Sequence, residues 1–93
     1  MIRSFGDRDT ELVWLREPAP RIDPRIHKPA NRKLHLLDAA VSLQSLRVPP
    51  GNRLEALKGD RKGQYSIRVN NQWRICFVWT EAGPENVIIE DYH

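Results

Sequence analysis

Apolar positions change their period once along this chain, and the change divides it into two unlike halves. In the first half Ile26, Ala30, Leu34, Leu37 and Val41 recur at spacings of three and four, the stripe of an amphipathic helix. Asp23-Pro24 is the expected N-cap and first-turn pair of that helix. Pro29 is expected to postpone its regular part to about residue 30, because a proline ring clashes with the preceding turn. Upstream, the alternation of Ile2-Arg3-Ser4-Phe5 predicts a short first strand closed by Gly6. Asp7 to Glu17 predicts a helix with Asp7 or Asp9 near its start, stopped by Pro18-Ala19-Pro20. Ser42 to Arg47 reads as a final short helical turn and Val48 to Asn52 as a loop.

After residue 53 the period becomes two. Leu54, Ala56 and Leu57 begin a strand, and Lys58 to Gly63 form a polar turn bounded by glycines. Tyr65, Ile67 and Val69 alternate with Ser66 and Arg68, and Asn70-Asn71-Gln72 supplies a tight hairpin, with Asn suited to positive φ. Trp73, Ile75, Phe77 and Trp79 share one face of the next strand, and Arg74, Cys76 and Val78 share the other. Glu81 to Glu85 turn the chain into a last strand over 86–92. Helices followed by a strand meander predict an α+β fold, with the N-terminal strand and two helices packed on one face of an antiparallel sheet.

Length keeps this to a single domain over residues 1–93. A chain this short buries only roughly 60–65% of its unfolded surface, which leaves little room for a deep cavity around a large organic cofactor. One cysteine, Cys76, excludes an internal disulfide and suits a reducing cytoplasm. No apolar run reaches the roughly 18 residues of a membrane span, and Met1-Ile2-Arg3-Ser4 does not read as a secretory leader. The expectation is a cytoplasmic protein without a membrane partner. The net charge of +3 hides a strong asymmetry. Residues 47–74 carry seven basic side chains (Arg47, Arg53, Lys58, Arg61, Lys62, Arg68, Arg74) against Glu55 and Asp60, whereas residues 81–93 carry Glu81, Glu85, Glu90 and Asp91 with no Lys or Arg. A dense basic segment attracts polyanions by counterion release, and nucleic acid is the commonest of these; a solvated charged surface is the alternative.

Cross-strand neighbours in a meander lie roughly 4.5–5.5 Å apart, so sequence-distant groups can meet there. Arg68 and Arg74 flank the hairpin and share a face if the register allows. With Lys58, Arg61, Glu55, Asp91, Tyr92 and His93 they make a candidate cluster. Cations hold a phosphate and stabilise the charge of its transition state, while an imidazole or carboxylate moves the proton of a ribose 2′-OH. That chemistry needs no metal, and no cofactor is called for. His27 and His35 lack a zinc-ligand pattern and are read as surface residues. Cys76 is read as a small strand residue, and Trp73, Phe77 and Trp79 as core. Tyr92 and His93 are either site residues or a polar tail. Gly59 and Gly63 lack the Gly-Lys-Ser/Thr ending of a P-loop.

Several motifs in this order resemble one family. They are Asn52 to Arg61, Gly63 to Val69, Gln72 to Phe77 and the ending Glu90-Asp91-Tyr92-His93, preceded by Arg32-Lys33-Leu34, Leu37 to Ala40 and Pro49-Pro50-Gly51. Together they resemble the HigB toxins, also called plasmid maintenance killer proteins, within the RelE/ParE superfamily. The resemblance implies a RelE-like, microbial RNase-like fold, ribosome-dependent and metal-independent mRNA endonuclease activity, translation inhibition and growth arrest. It also implies a HigA-type helix-turn-helix antitoxin, which with the toxin represses its own operon and so links the protein to operator DNA. On its terms Arg74, Lys58, Asp91, Tyr92 and His93 surround the scissile phosphate, with His93 or Asp91 moving the proton. Arg61, Arg68, Arg53, Lys62 and Glu55 would meet substrate or ribosome. Some HigB toxins carry His-Pro before Leu-Lys-Gly, where this chain has Glu55-Ala56. The superfamily also holds ParE-like gyrase inhibitors, and a non-catalytic co-repressor acting with its antitoxin is a third possibility.

Overall fold

Asp7 opens the first helix. Its Oδ1 accepts the Thr10 N–H at 2.9 Å, and Asp9 and Glu11 place negative charge in the first turn of α1 (Arg8–Trp14), where the helix dipole favours it. These features come from a computed structural model, which describes residues 1–91. The helix ends earlier than the Pro18 stop suggested. Arg16 turns into the left-handed region at φ 60°, and the Arg16 and Glu17 N–H groups fold back onto the carbonyls of Val13 (3.1 Å) and Leu12 (2.8 Å). This is a Schellman closure, with an arginine where glycine is usual.

Asp23 caps a 3-10 turn over Pro24–Ile26, which runs directly into α2 (His27–Ala39). The helix thus starts before residue 30. Pro29 falls in its first turn, where backbone N–H groups have no helical partner to lose. Ile26, Ala30, Leu34 and Leu37 are buried as the stripe predicts, but Val41 is 92% exposed. The reason is local: Ala40 is already extended, so position 41 has left the helical stripe. Ser42 caps a 3-10 turn over Leu43–Arg47, and another covers Pro50–Asn52 within the expected loop.

Four antiparallel strands follow in the order β1-β2-β3-β4: β1 (Glu55–Ala56), β2 (Gln64–Arg68), β3 (Trp73–Thr80) and β4 (Gly83–Asp91). A register shift between Cys76 and Val78 bends the β3–β4 pair. The expected first strand is reduced to one parallel bridge between Phe5 and Val87, flanked by hydrogen bonds from Arg3 N to Pro84 O and from Gly6 N to Val87 O. The segment lies along β4 but leaves it at once, because Asp7 is already committed to capping α1. The β2–β3 hairpin also closes differently from expectation. Neither Asn70 nor Asn71 has positive φ; instead Asn70 Oδ1 accepts the N–H groups of Gln72 and Trp73, both at 2.8 Å.

The helices cover one face of the sheet. Val13, Leu34, Leu37 and Leu46 pack with Ile67, Ile75, Phe77 and Val87 in one core, with Trp73 and Ile89 at its end. Burial of these side chains supplies roughly 1.5–3 kcal/mol each before entropy is counted. Buried Thr10 ties the layers together, since its Oγ1 accepts the Ile89 N–H at 2.8 Å. The other sheet face is left without a helical layer, and on that face the candidate chemistry collects.

Candidate active site

Register decides which side chains meet. Arg68 pairs directly with Arg74, Ser66 with both Glu55 and Cys76, and Arg74 with Glu90. Direct partners share a face, so Glu55, Ser66, Arg68, Arg74, Cys76 and Glu90 all stand on the side away from the helices. The expectation that Arg68 and Arg74 share a face is met.

Arg74 is only 6% exposed, and its charge is met by neighbours. Nε donates to Ser66 Oγ at 2.8 Å, Nη2 donates to the Arg53 carbonyl at 2.8 Å, and Nη1 lies 3.4 Å from Glu55 Oε1. Arg53 itself sits at φ 45°, so the guanidinium pins a strained turn just ahead of β1. Glu55 is half exposed, with one carboxylate oxygen turned to Arg74. Two arginines paired across strands would repel, and this fan of acceptors, with the Asn71 Oδ1 that takes an Arg68 N–H, offsets the cost.

Arg61 comes from the 3-10 turn over Gly59–Arg61 and reaches to β4. Its Nη1 and Nη2 each lie 2.7 Å from an oxygen of Glu90, and Nη2 also donates to Gln64 Oε1 at 3.1 Å. The Glu90 carboxylate holds this guanidinium above its usual range. Cys76 lies against the pair. Burial pushes its thiol up to about 11, so it is protonated near neutral pH and has no nucleophilic role, as expected for a small strand residue. Lys58, Lys62 and Arg53 are exposed along the rim.

Asp91 is not brought to this group. It pairs with Trp73, whose side chain faces the helices, and it lines a groove of about 480 Å³ with Trp73, Ile89, Arg8 and Arg21. Gln72 Nε2 donates to its Oδ2 at 2.9 Å. The expected convergence of Asp91 with Arg74 on one face is therefore corrected: period two puts adjacent residues on opposite faces, and it is Glu90 that faces Arg74. Tyr92 and His93 lie outside the described residues. Sequence reading missed Ser66, Gln64 and Glu90 as partners of the cations. Alternation alone placed Ser66 beside Arg68, but only the register joins it to Arg74. The two histidines are less passive than expected: His27 Nε2 lies 2.8 Å from the Ile22 carbonyl, and His35 stacks on Trp14 with ring centroids 4.6 Å apart.

Two helices on a four-strand antiparallel meander, with a cationic open face, is the RelE-like toxin architecture. A YoeB/ParE toxin from Agrobacterium tumefaciens matches it with a TM-score of 0.54 and 21% identity, over 99% of this chain and 96% of that one. Residues 5–93 match the family model for the HigB-like toxin, described as a RelE-like toxin of the type II toxin-antitoxin system HigB. This chain belongs to that family. It is 39% identical to Toxin HigB-1 of Vibrio cholerae over 99% of its length and 98% of the relative's. It is 30% identical to Endoribonuclease HigB of Proteus vulgaris over the full length of both. Membership makes it a type II toxin and implies an antitoxin partner. No helix among the described residues is long and apolar enough to cross a membrane.

Proposed function

We propose that this toxin is an endoribonuclease that cuts mRNA on the ribosome, without a metal, through the open sheet face. The observation that carries the reading is the juxtaposition of Arg68 and Arg74 in direct register, with Glu55 3.4 Å from Arg74 at the same edge. Arg68 and Arg74 would hold the scissile phosphate and stabilise the charge gained as the 2′-oxygen attacks. Lys58 would reach it from the rim. Arg61 and Lys62, with Arg53, would serve the flanking strand or ribosomal RNA. Proton transfer from the 2′-OH falls to a group on this face. Glu55 would take it, with His93 the alternative that the resemblance implies and Tyr92 positioning or stacking on a base. Asp91, on the helix side, would act by holding the end of β4 through Gln72 rather than on the phosphate.

The products would be a 2′,3′-cyclic phosphate, or its 3′-phosphate, and a 5′-hydroxyl. The partner that silences the site would be a HigA-type helix-turn-helix protein acting in the cytoplasm and bringing the toxin to operator DNA. Primer extension on mRNA from a translating extract given the purified chain tests the reading. New 5′-hydroxyl ends within translated codons, lost on Arg68→Gln, are expected. Intact mRNA in the presence of the active fold would overturn the nuclease assignment.

A further inference from the structure

One cleft of the described structure lies away from the sheet face. It lies on the helical layer, between the end of α1 and the start of α2, and measures about 600 Å³. That is in the range of small-molecule sites. Arg16, Lys28 and Arg32 line it against a single carboxylate, Glu17, which leaves two positive charges to be met. On the sheet face Arg61 and Arg74 each have a carboxylate partner. Here, among the described residues, no salt bridge engages Arg16, Lys28 or Arg32.

The way Arg16 enters the cleft is informative. It occupies the left-handed position of the Schellman closure, which a side chain pays for in backbone strain and glycine does not. The carbonyls at the end of α1 would repel an anion, but Asn31 Nδ2 donates to Val13 O at 3.0 Å and caps that end. Across the cleft, α2 continues the 3-10 turn that Asp23 caps, so the positive field there comes from the three cations. Pro18, exposed above the buried Val13, supplies an apolar wall.

We propose that this cleft binds a nucleotide carrying at least two phosphates. Arg16, Lys28 and Arg32 hold the phosphates, and the base lies on Pro18. Two uncompensated charges match a diphosphate better than a single phosphate group, and the apolar wall favours a nucleoside over a bare anion. The site goes beyond the proposed nuclease and is tested without any cleavage assay.

The test is titration of the purified full chain, followed by ¹⁵N–¹H spectra, with ADP, GDP, inorganic pyrophosphate and a short single-stranded RNA. ADP or GDP is expected to shift the amides of residues 13–18 and 27–32 and to bind at least tenfold more tightly than pyrophosphate. Arg16→Gly keeps the left-handed turn and is expected to hold or raise the unfolding temperature while weakening nucleotide binding roughly tenfold, the loss of one charge-assisted contact. Arg47→Gln, equal in charge loss but outside the cleft, is expected to leave binding unchanged. Four results would each overturn the assignment: no shifts at millimolar nucleotide, pyrophosphate binding as tightly as ADP and GDP, equal weakening by Arg47→Gln, or shifts at the cleft from RNA alone.

Discussion

Replacing Arg74 with methionine keeps most of the side-chain volume and removes every hydrogen bond the guanidinium makes. What is left behind sets the magnitude. Ser66 is fully buried and loses the Nε donor at 2.8 Å, and the Arg53 carbonyl loses its donor at 2.8 Å in a turn already at φ 45°. The buried Ser66 hydroxyl left without its charged donor costs about 1–3 kcal/mol, and the Arg53 carbonyl, on an exposed residue, costs less. The Glu55 ion pair adds little, because that carboxylate is half exposed and solvent screens it. Allowing for relaxation, Arg74→Met should cost about 2–4 kcal/mol, which for a domain of this size lowers the unfolding temperature by roughly 10–25 °C. Urea denaturation is the direct assay, and the midpoint should fall with the slope unchanged. A loss below about 1 kcal/mol would refute the claim that this guanidinium anchors the β1 turn. Arg68, half-buried and bonded to a hairpin side chain, is the cleaner probe of catalysis.

Two further perturbations follow from the same face. Glu90→Gln removes the ionic half of a two-point contact between side chains about one-third exposed, and it should cost about 1 kcal/mol, less at high salt, in the same denaturation assay. The Cys76 thiol, raised from 9.0 to about 11 by burial, contributes stability that is fully present below pH 9 and lost as pH rises through about 11. Stability measured from pH 8 to 11 should therefore fall more steeply in the wild type than in Cys76→Ala, and parallel curves would show that the thiol is not buried as described.

The charge pattern of the sheet face has a common physical logic. Two of its arginines are already met by carboxylates, Arg74 by Glu55 and Arg61 by Glu90. A phosphate arriving there exchanges one anion for another, and this limits the cost of gathering cations in the ligand-free protein. The cleft on the helical layer lacks such partners among the described residues, which is why the two surfaces invite different ligands.

Periodicity by itself determined the order of elements, the α+β class and the core stripe from Ile26 to Leu37, since which residues must leave water is written in their spacing. It also set Arg74 on the face of β3 opposite Trp73 and Ile75. The element ends were not legible: Arg16 closes α1 in a left-handed turn that propensity disfavours, and Asn70 closes the hairpin by its side chain rather than by positive φ. Nor was the membership of the site. Alternation says only that neighbours point to opposite faces; which residues then stand side by side depends on the register between strands. That register arises from long-range packing, from Thr10 against Ile89 and from the shift between Cys76 and Val78, and it put Glu90, not Asp91, beside the arginines.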